Sequence, residues 1–138
     1  MFQFKPEERL KSRRIIGALF SNGGGASFLG YPVRVVWLYF PDTFFPMPTS
    51  KVQVMVSAPK KNFKTATARN RIKRLVREAW RLHKHELYAQ IPEGKPPVAL
   101  LLMYIAKEEL TFAEVEVGVI KAIRKLADGI GKGEEAVS

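Results

Sequence analysis

Residues 60–84 read KKNFKTATARNRIKRLVREAWRLHK. The fold turns on whether this stretch is helical, and the spacing of its apolar residues says that it is. At about 100° per residue, Ile72, Leu75, Val76, Ala79, Trp80, His83 and Leu87 fall on one arc. This predicts a helix over residues 65–88 that turns this arc to a core. Asn70, Lys73, Arg74, Arg77, Arg81 and Lys84 fall on a second arc, about 100° wide, whose charged side chains are all cations. Glu78 lies outside it, at helix spacing from Arg74 and Arg81.

The stretch holds ten Lys or Arg against one acid, so +9 of the chain's formal +10. Surface helices ordinarily mix signs, because like charges one turn apart repel by a few tenths of a kcal/mol, about 0.2–0.5 per pair. Here Lys73, Arg77 and Arg81 stack cation on cation. A polyanionic partner relieves that repulsion, and arginine's planar fork suits phosphate and base edges. Asn70 adds a neutral donor and acceptor that a purely electrostatic surface does not need. Lys60, Lys61 and Lys64 carry the stripe to the helix N-terminus, itself favourable to anions. With Arg69 and Arg71, these are the candidate residues for docking a polyanion, nucleic acid first.

Outside this stretch the charge is nearly balanced. Residues 1–59 carry seven basic and three acidic side chains, +4, and residues 85–138 carry six and nine, −3. At 138 residues and 46% hydrophobic, the chain is long enough for one domain with a core, expected over 1–128 with a flexible tail at 129–138. Without cysteine there is no disulfide frame or thiolate metal site. The opening MFQFKPEERLKSRR is too polar for a signal peptide, and Val98–Ala106 is too short to span a bilayer. The expectation is a cytoplasmic, basic, single-domain protein whose leading partner is nucleic acid, with an anionic membrane surface second.

Pro6, Glu7 and Glu8 read as a helix start, with Asn22 and Gly23 as its stop, giving a first helix at about 6–21. Gly23, Gly24 and Gly25 read as a plain turn, since no strand precedes them and no Lys-Ser/Thr follows. VRVVWLYF (33–40) and KVQVMVS (51–57) read as strands, pairing as a hairpin across a proline-rich loop. The first of them could split to give one extra strand. VALLLMYIA (98–106) has the length and continuous apolarity of a strand buried on both faces. Thr111 and Glu114 form a capping-box pattern ahead of Phe112, Val115, Val119, Ala122, Ile123 and Leu126, a third helix. The order is α-β-β-α-β-α: an α+β fold, an α-β sandwich with one central mixed sheet and three helices.

At Arg69-Asn70-Arg71-Ile72-Lys73-Arg74-Leu75-Val76-Arg77-Glu78 the sequence resembles the protein subunit of bacterial ribonuclease P, whose RNR motif it matches almost residue for residue. Ser57-Ala58-Pro59-Lys60-Lys61, Arg9-Leu10-Lys11, Leu19-Phe20, Ile105-Ala106-Lys107 and Leu110-Thr111-Phe112 are weaker matches, and the resemblance covers roughly residues 5–127. Ile16 stands where the family often has an aromatic, Met55 where a glycine is common and Pro59 where a serine is common. The resemblance implies the family's sandwich, with the arginine-rich helix in a left-handed crossover between parallel strands. It implies binding of ribonuclease P RNA through the RNR region and of the precursor tRNA 5′ leader in a cleft between the first helix and the sheet. Chemistry would belong to Mg²⁺ held by the RNA, the protein itself carrying no metal and no catalytic residue.

The residues agree with a non-catalytic subunit. A two-metal nuclease clusters carboxylates around ions about 4 Å apart, yet the two aspartates, Asp42 and Asp128, fall in predicted loops. Glu108, Glu109, Glu114 and Glu116 gather where helix capping explains them, and His83 and His85 do not face each other. For stacking bases the candidates are Phe20, Trp37, Tyr39 and Phe112, with Arg13 and Arg14 bracketing the leader backbone. The free protein is expected to be a monomer that binds no membrane. The alternative reading is a stand-alone structured-RNA-binding module such as a ribosomal protein. A basic membrane-surface helix and a helix-turn-helix DNA binder fit less well, because the core claims the apolar arc and no short helix precedes the long one.

Overall fold

The computed structural model describes residues 4–21 and 26–131. Four strands, β1 (Ala26–Gly30), β2 (Val33–Tyr39), β3 (Val52–Ser57) and β4 (Val98–Tyr104), form one sheet in the order β1-β2-β4-β3. β1–β2 and β2–β4 are antiparallel and β3–β4 is parallel, so the sheet is mixed. Three α-helices accompany it: α1 (Arg13–Phe20), α2 (Ala66–Tyr88) and α3 (Phe112–Gly131).

β4 is buried on both faces, as its unbroken apolar run predicts. That fixes its place. It inserts between β2 and β3, which are therefore not the hairpin partners that their sequence order suggests. β2 pairs back onto β1 instead, through the turn at Tyr31–Pro32. The extra strand thus lies before residues 33–40 rather than within them.

Strand alternation divides the core in two. Val33, Val35, Trp37, Val52, Val54, Val56, Leu100, Leu102 and Tyr104 point to one face, where α2 and α3 cover them with Ile72, Val76, Trp80, Val119, Ile123 and Leu126. Leu38, Phe40, Ala99 and Leu101 point to the other, where Leu10, Ile15 and Leu19 form a smaller cluster. The helix caps follow the sequence. Thr65 accepts from the Ala68 amide at 3.2 Å, and Thr111 and Glu114 exchange the capping-box bonds at 3.0 and 3.3 Å.

The first helix is shorter than predicted. Pro6–Glu8 closes only a 3-10 turn, and the helix proper begins at Arg13, capped by Ser12, whose hydroxyl accepts from the Ile15 amide at 3.3 Å. Between them the chain lies extended against the open edge of β3. Arg9 bridges to Val54, and the Leu10 amide donates to the Val54 carbonyl at 2.9 Å. Those bonds satisfy edge groups that a continuous helix would leave bare. At the other end α3 runs on to Gly131, because Ile130 still finds a buried site. The Gly23–Gly25 turn and residues 132–138 of the predicted tail lie outside the described residues.

Candidate nucleic-acid interface

α2 leaves β3 through a turn in which the Asn62 and Phe63 amides both donate to the Pro59 carbonyl at 3.2 Å. Phe63 is buried against Tyr104, which anchors the turn and leaves Lys60, Lys61 and Lys64 exposed beside the helix N-terminus. Arg69 braces the same turn, its guanidinium donating to the Phe63 and Lys64 carbonyls at 2.8 and 3.0 Å. Two residues on, Arg71 points to the other side of the helix and forms a bidentate pair with Glu109 at 2.9 and 2.8 Å. Asn70 stands exposed between them.

Asn70, Arg74, Arg77 and Arg81 then line one hollow of about 380 Å³ along the helix, closed on its far side by Phe4 and Arg9. Arg81 is engaged there by Glu78, at 2.9 and 2.6 Å, the pairing that helix spacing predicts. Arg77 loses hydration in the groove, and the Arg9 guanidinium repels it; both effects lower its pKa, burial more.

Lys84 departs from the predicted set. It is buried, with Nζ at 2.8 and 2.7 Å from the two carboxylate oxygens of Glu8. Six cations, Lys60, Lys61, Lys64, Lys73, Arg74 and Arg77, therefore remain around Asn70 with no carboxylate within 4.0 Å among the described residues.

The aromatic candidates divide. Phe20 is 48% exposed at the end of α1, with Arg13 and Arg14 open to solvent on the same helix. Arg14 lies over the Phe44 ring at 5.6 Å. Trp37, by contrast, is fully buried under α2 and α3, Tyr39 packs edge-on against it, and Phe112 joins the same cluster. These three sit on the face of the sheet opposite α1 and do not line a cleft with Phe20. What α1 shares with the sheet here is aliphatic and thioether surface: its own Ile16 with Val36, Met55 and Met103, all half-buried. Register places Arg34 and Ser57 on either side of Met103 in the same row.

The carboxylates near α3 have structural work. Glu109 holds Arg71, Glu114 caps α3 and Glu116 meets His83 Nε2 at 2.8 Å. Among the described residues no three His, Cys, Asp or Glu converge as a metal-ligand set. A cavity of about 690 Å³ lies away from the basic stripe between the end of α2 and α3, with both signs of charge on its walls.

Against known proteins, the sequence pattern of the family described as Ribonuclease P matches residues 4–127. The chain belongs to the ribonuclease P protein family. A ribonuclease P protein component of Porphyromonas gingivalis is 34% identical over 129 residues, covering 94% of this chain and 90% of that one. One from Chlorobium phaeobacteroides is 34% identical over 104 residues, covering 74% and 68%. The fold resembles that of Staphylococcus aureus RNase P protein, with a TM-score of 0.57, 20% identity and coverage of 87% of this chain and 94% of that one. The chain is thus the protein component of ribonuclease P, a tRNA-processing endoribonuclease, and its role is RNA binding. Among the described residues no helix is long and apolar enough to cross a membrane.

Two exposed acids give the ribonuclease P fold a testable acid limit. The Arg71 hydrogen bond, with its charge, holds the Glu109 carboxyl below the ordinary value of 4.5, and the Thr111 amide and hydroxyl do the same for Glu114. A carboxyl depressed in the folded state stabilises above its unfolded pKa, and that stability is lost as pH falls through the folded value. The melting temperature should therefore decline below about pH 4.5, and Glu109→Gln with Glu114→Gln should flatten the decline. An unchanged slope would remove both contacts from the account.

Proposed function

We propose that the stripe Lys60, Lys61, Lys64, Asn70, Lys73, Arg74 and Arg77 docks ribonuclease P RNA. The 5′ leader of precursor tRNA then runs along the α1 side of the sheet. The observation that carries this reading is the six unopposed cations ranged around one exposed asparagine on a rigid, core-anchored helix. Such a face binds phosphates at fixed spacing, while Asn70 can read a base edge or a 2′-hydroxyl.

Arg69 and Arg71 act here mainly as braces. Arg69 holds the lysine-bearing turn, and Arg71 ties α2 to the start of α3, although its pair with Glu109 is exposed and open to exchange for a phosphate. On the α1 side, Phe20 offers a stacking face, and Ile16, Val36, Met55 and Met103 offer an apolar shelf that accepts any base. Arg13, Arg14 and Arg34 sit at its margins to meet the leader backbone. The protein's part is to bind and orient. Mg²⁺ held by the RNA supplies the hydrolytic chemistry, and the protein cations lower the phosphate repulsion that otherwise demands more of that ion. The free protein is a cytoplasmic monomer in this reading.

Reconstitution tests it. Added to ribonuclease P RNA at low Mg²⁺, the protein should raise leader cleavage, which a ribosomal protein would not do. Binding to that RNA should fall with salt at a log–log slope of roughly −4 to −5, for about six phosphates. Lys73→Ala with Arg74→Ala should flatten the slope by about two units. Unaltered binding in that variant would reject the α2 face as the docking surface.

A further inference from the structure

Arg9 lies far from the basic helix in sequence, and the fold brings it to the same groove. Its backbone is fixed on both sides. Arg9 bridges to Val54, the next amide donates to the Val54 carbonyl at 2.9 Å, and the preceding Glu8 is clamped by Lys84. The Arg9 guanidinium stands 5.1 Å over the Phe4 ring. With Phe4 and Arg77 it lines two adjoining hollows of about 380 and 290 Å³. The first opens toward Asn70 and Arg74, the second toward Lys11, Ile16 and Met55. Arg9 and Arg77 repel each other across this wall. Neither has a carboxylate within 4.0 Å among the described residues.

Holding two guanidinium groups in the wall of the same hollows, one of them on a fixed strand-edge backbone, is unfavourable in the free protein. It becomes favourable when one anion enters between them, since each planar fork can donate two hydrogen bonds to phosphate oxygens. We propose that Arg9 and Arg77 jointly seat one phosphodiester of bound RNA, at the seam between the α2 face and the α1-side cleft. The inference rests on the RNA-docking reading above and adds a second wall to it, contributed by the N-terminal segment. Arg77 grips from the helix, and Arg9 closes from a strand edge whose position Glu8 sets.

Arg9→Gln, Arg77→Gln and the double variant, in the full chain, provide the test. One arm titrates ribonuclease P RNA alone. The other titrates precursor tRNA with long and short leaders against the reconstituted holoenzyme. Each single variant should bind about tenfold more weakly. The double should lose little more than either single, and its salt slope should flatten by about one unit, as for one shared phosphate. In the free protein at low salt the melting temperature should hold or rise, because repulsion has been removed. Loss with the RNA subunit alone assigns the phosphate to that RNA, and loss only with long-leader substrate assigns it to the leader. Unchanged affinity in both arms overturns the proposal, as does a fall in melting temperature that tracks the loss. Should Lys73→Ala/Arg74→Ala lose binding while these variants do not, only the shared seat fails. Should that variant also bind normally, the docking reading itself fails.

Discussion

Lys84→Ala should be the most damaging truncation of any cation on the basic helix, lowering stability by about 3–5 kcal/mol. At this chain length that is roughly 10 °C or more in melting temperature. The pair it breaks is almost dry, with 7% of the Lys84 side chain and 10% of the Glu8 side chain exposed. Lys84 Nζ reaches both carboxylate oxygens, the Tyr88 hydroxyl lies 3.3 Å from one of them, and the Lys5 amide donates to the other at 3.1 Å. Removing the ammonium leaves that carboxylate buried with two neutral donors and no counter-charge. The net worth of the intact pair is a different quantity, because desolvation offsets most of its attraction. So Glu8→Leu with Lys84→Met, which removes both charges and keeps the volume, should recover most of the loss. Thermal melts of the two singles and the double close the cycle. A single-variant loss below about 1 kcal/mol would mean that water enters the site and that the clamp does not hold the N-terminal segment.

Lys84 also shows where sequence reasoning stops. On an isolated helix it shares a face with Lys73 and Arg77, and the wheel counts it as another exposed cation. It is buried because the N-terminal segment folds over that part of α2, a contact spanning 76 positions in sequence. Helical period reports only what a helix presents to an undivided surrounding. The same limit applies to Arg71, whose partner Glu109 arrives from beyond β4. What period does report it reported well. Ile72, Val76, Ala79, Trp80 and Leu87 are all buried, and Asn70, Arg74 and Arg77 stay open to solvent.

The misplaced aromatics had a legible signal. In VRVVWLYF, Arg34 shares its strand face with Val36 and Leu38, so that face must reach water at one end. Trp37 and Tyr39 share the opposite face with Val33 and Val35, which has no polar member and so belongs to the deeper core. Likewise Val52, Val54 and Val56 take one parity in β3 and Gln53, Met55 and Ser57 the other. Parity alone would have moved the expected cleft from Trp37 and Tyr39 to Val36 and Met55. The sheet order was not legible in this way. It needs β4 to be recognised as central, so that β2 and β3, neighbours in sequence, stand apart in space.

Gly118→Ala should cost about 2 kcal/mol, although alanine is the better helix former by about 1 kcal/mol. Gly118 lies inside α3 where the helix crosses the β1–β2 turn. A Cβ there would sit 2.5 Å from the Tyr31 carbonyl oxygen, 2.6 Å from that of Gly30 and 2.7 Å from Pro32 Cδ. Gly30 meets the same restriction from the other side, its Cβ falling 2.3 Å from the Gly118 carbonyl oxygen. Two glycines thus let backbone approach backbone, and the obstacles are not side-chain ends that can swing aside. Relief requires α3 to move off the hairpin, which loosens Val119, Ala122 and Ile123, all buried in the main core. Gly17 is the natural control. It also lies in a helix, nothing stands within 4 Å of its added Cβ, and Gly17→Ala should therefore stabilise by up to about 1 kcal/mol. Denaturant titrations of the two variants should show midpoints moving in opposite directions. A Gly118→Ala midpoint at or above the parent's would mean that α3 and the β1–β2 turn stand further apart than these contacts require. RNA affinity adds a second discrimination, since the Gly118 contact is on the far side of the sheet from α1 and remote from the basic stripe. The folded fraction of Gly118→Ala should bind ribonuclease P RNA as the parent does.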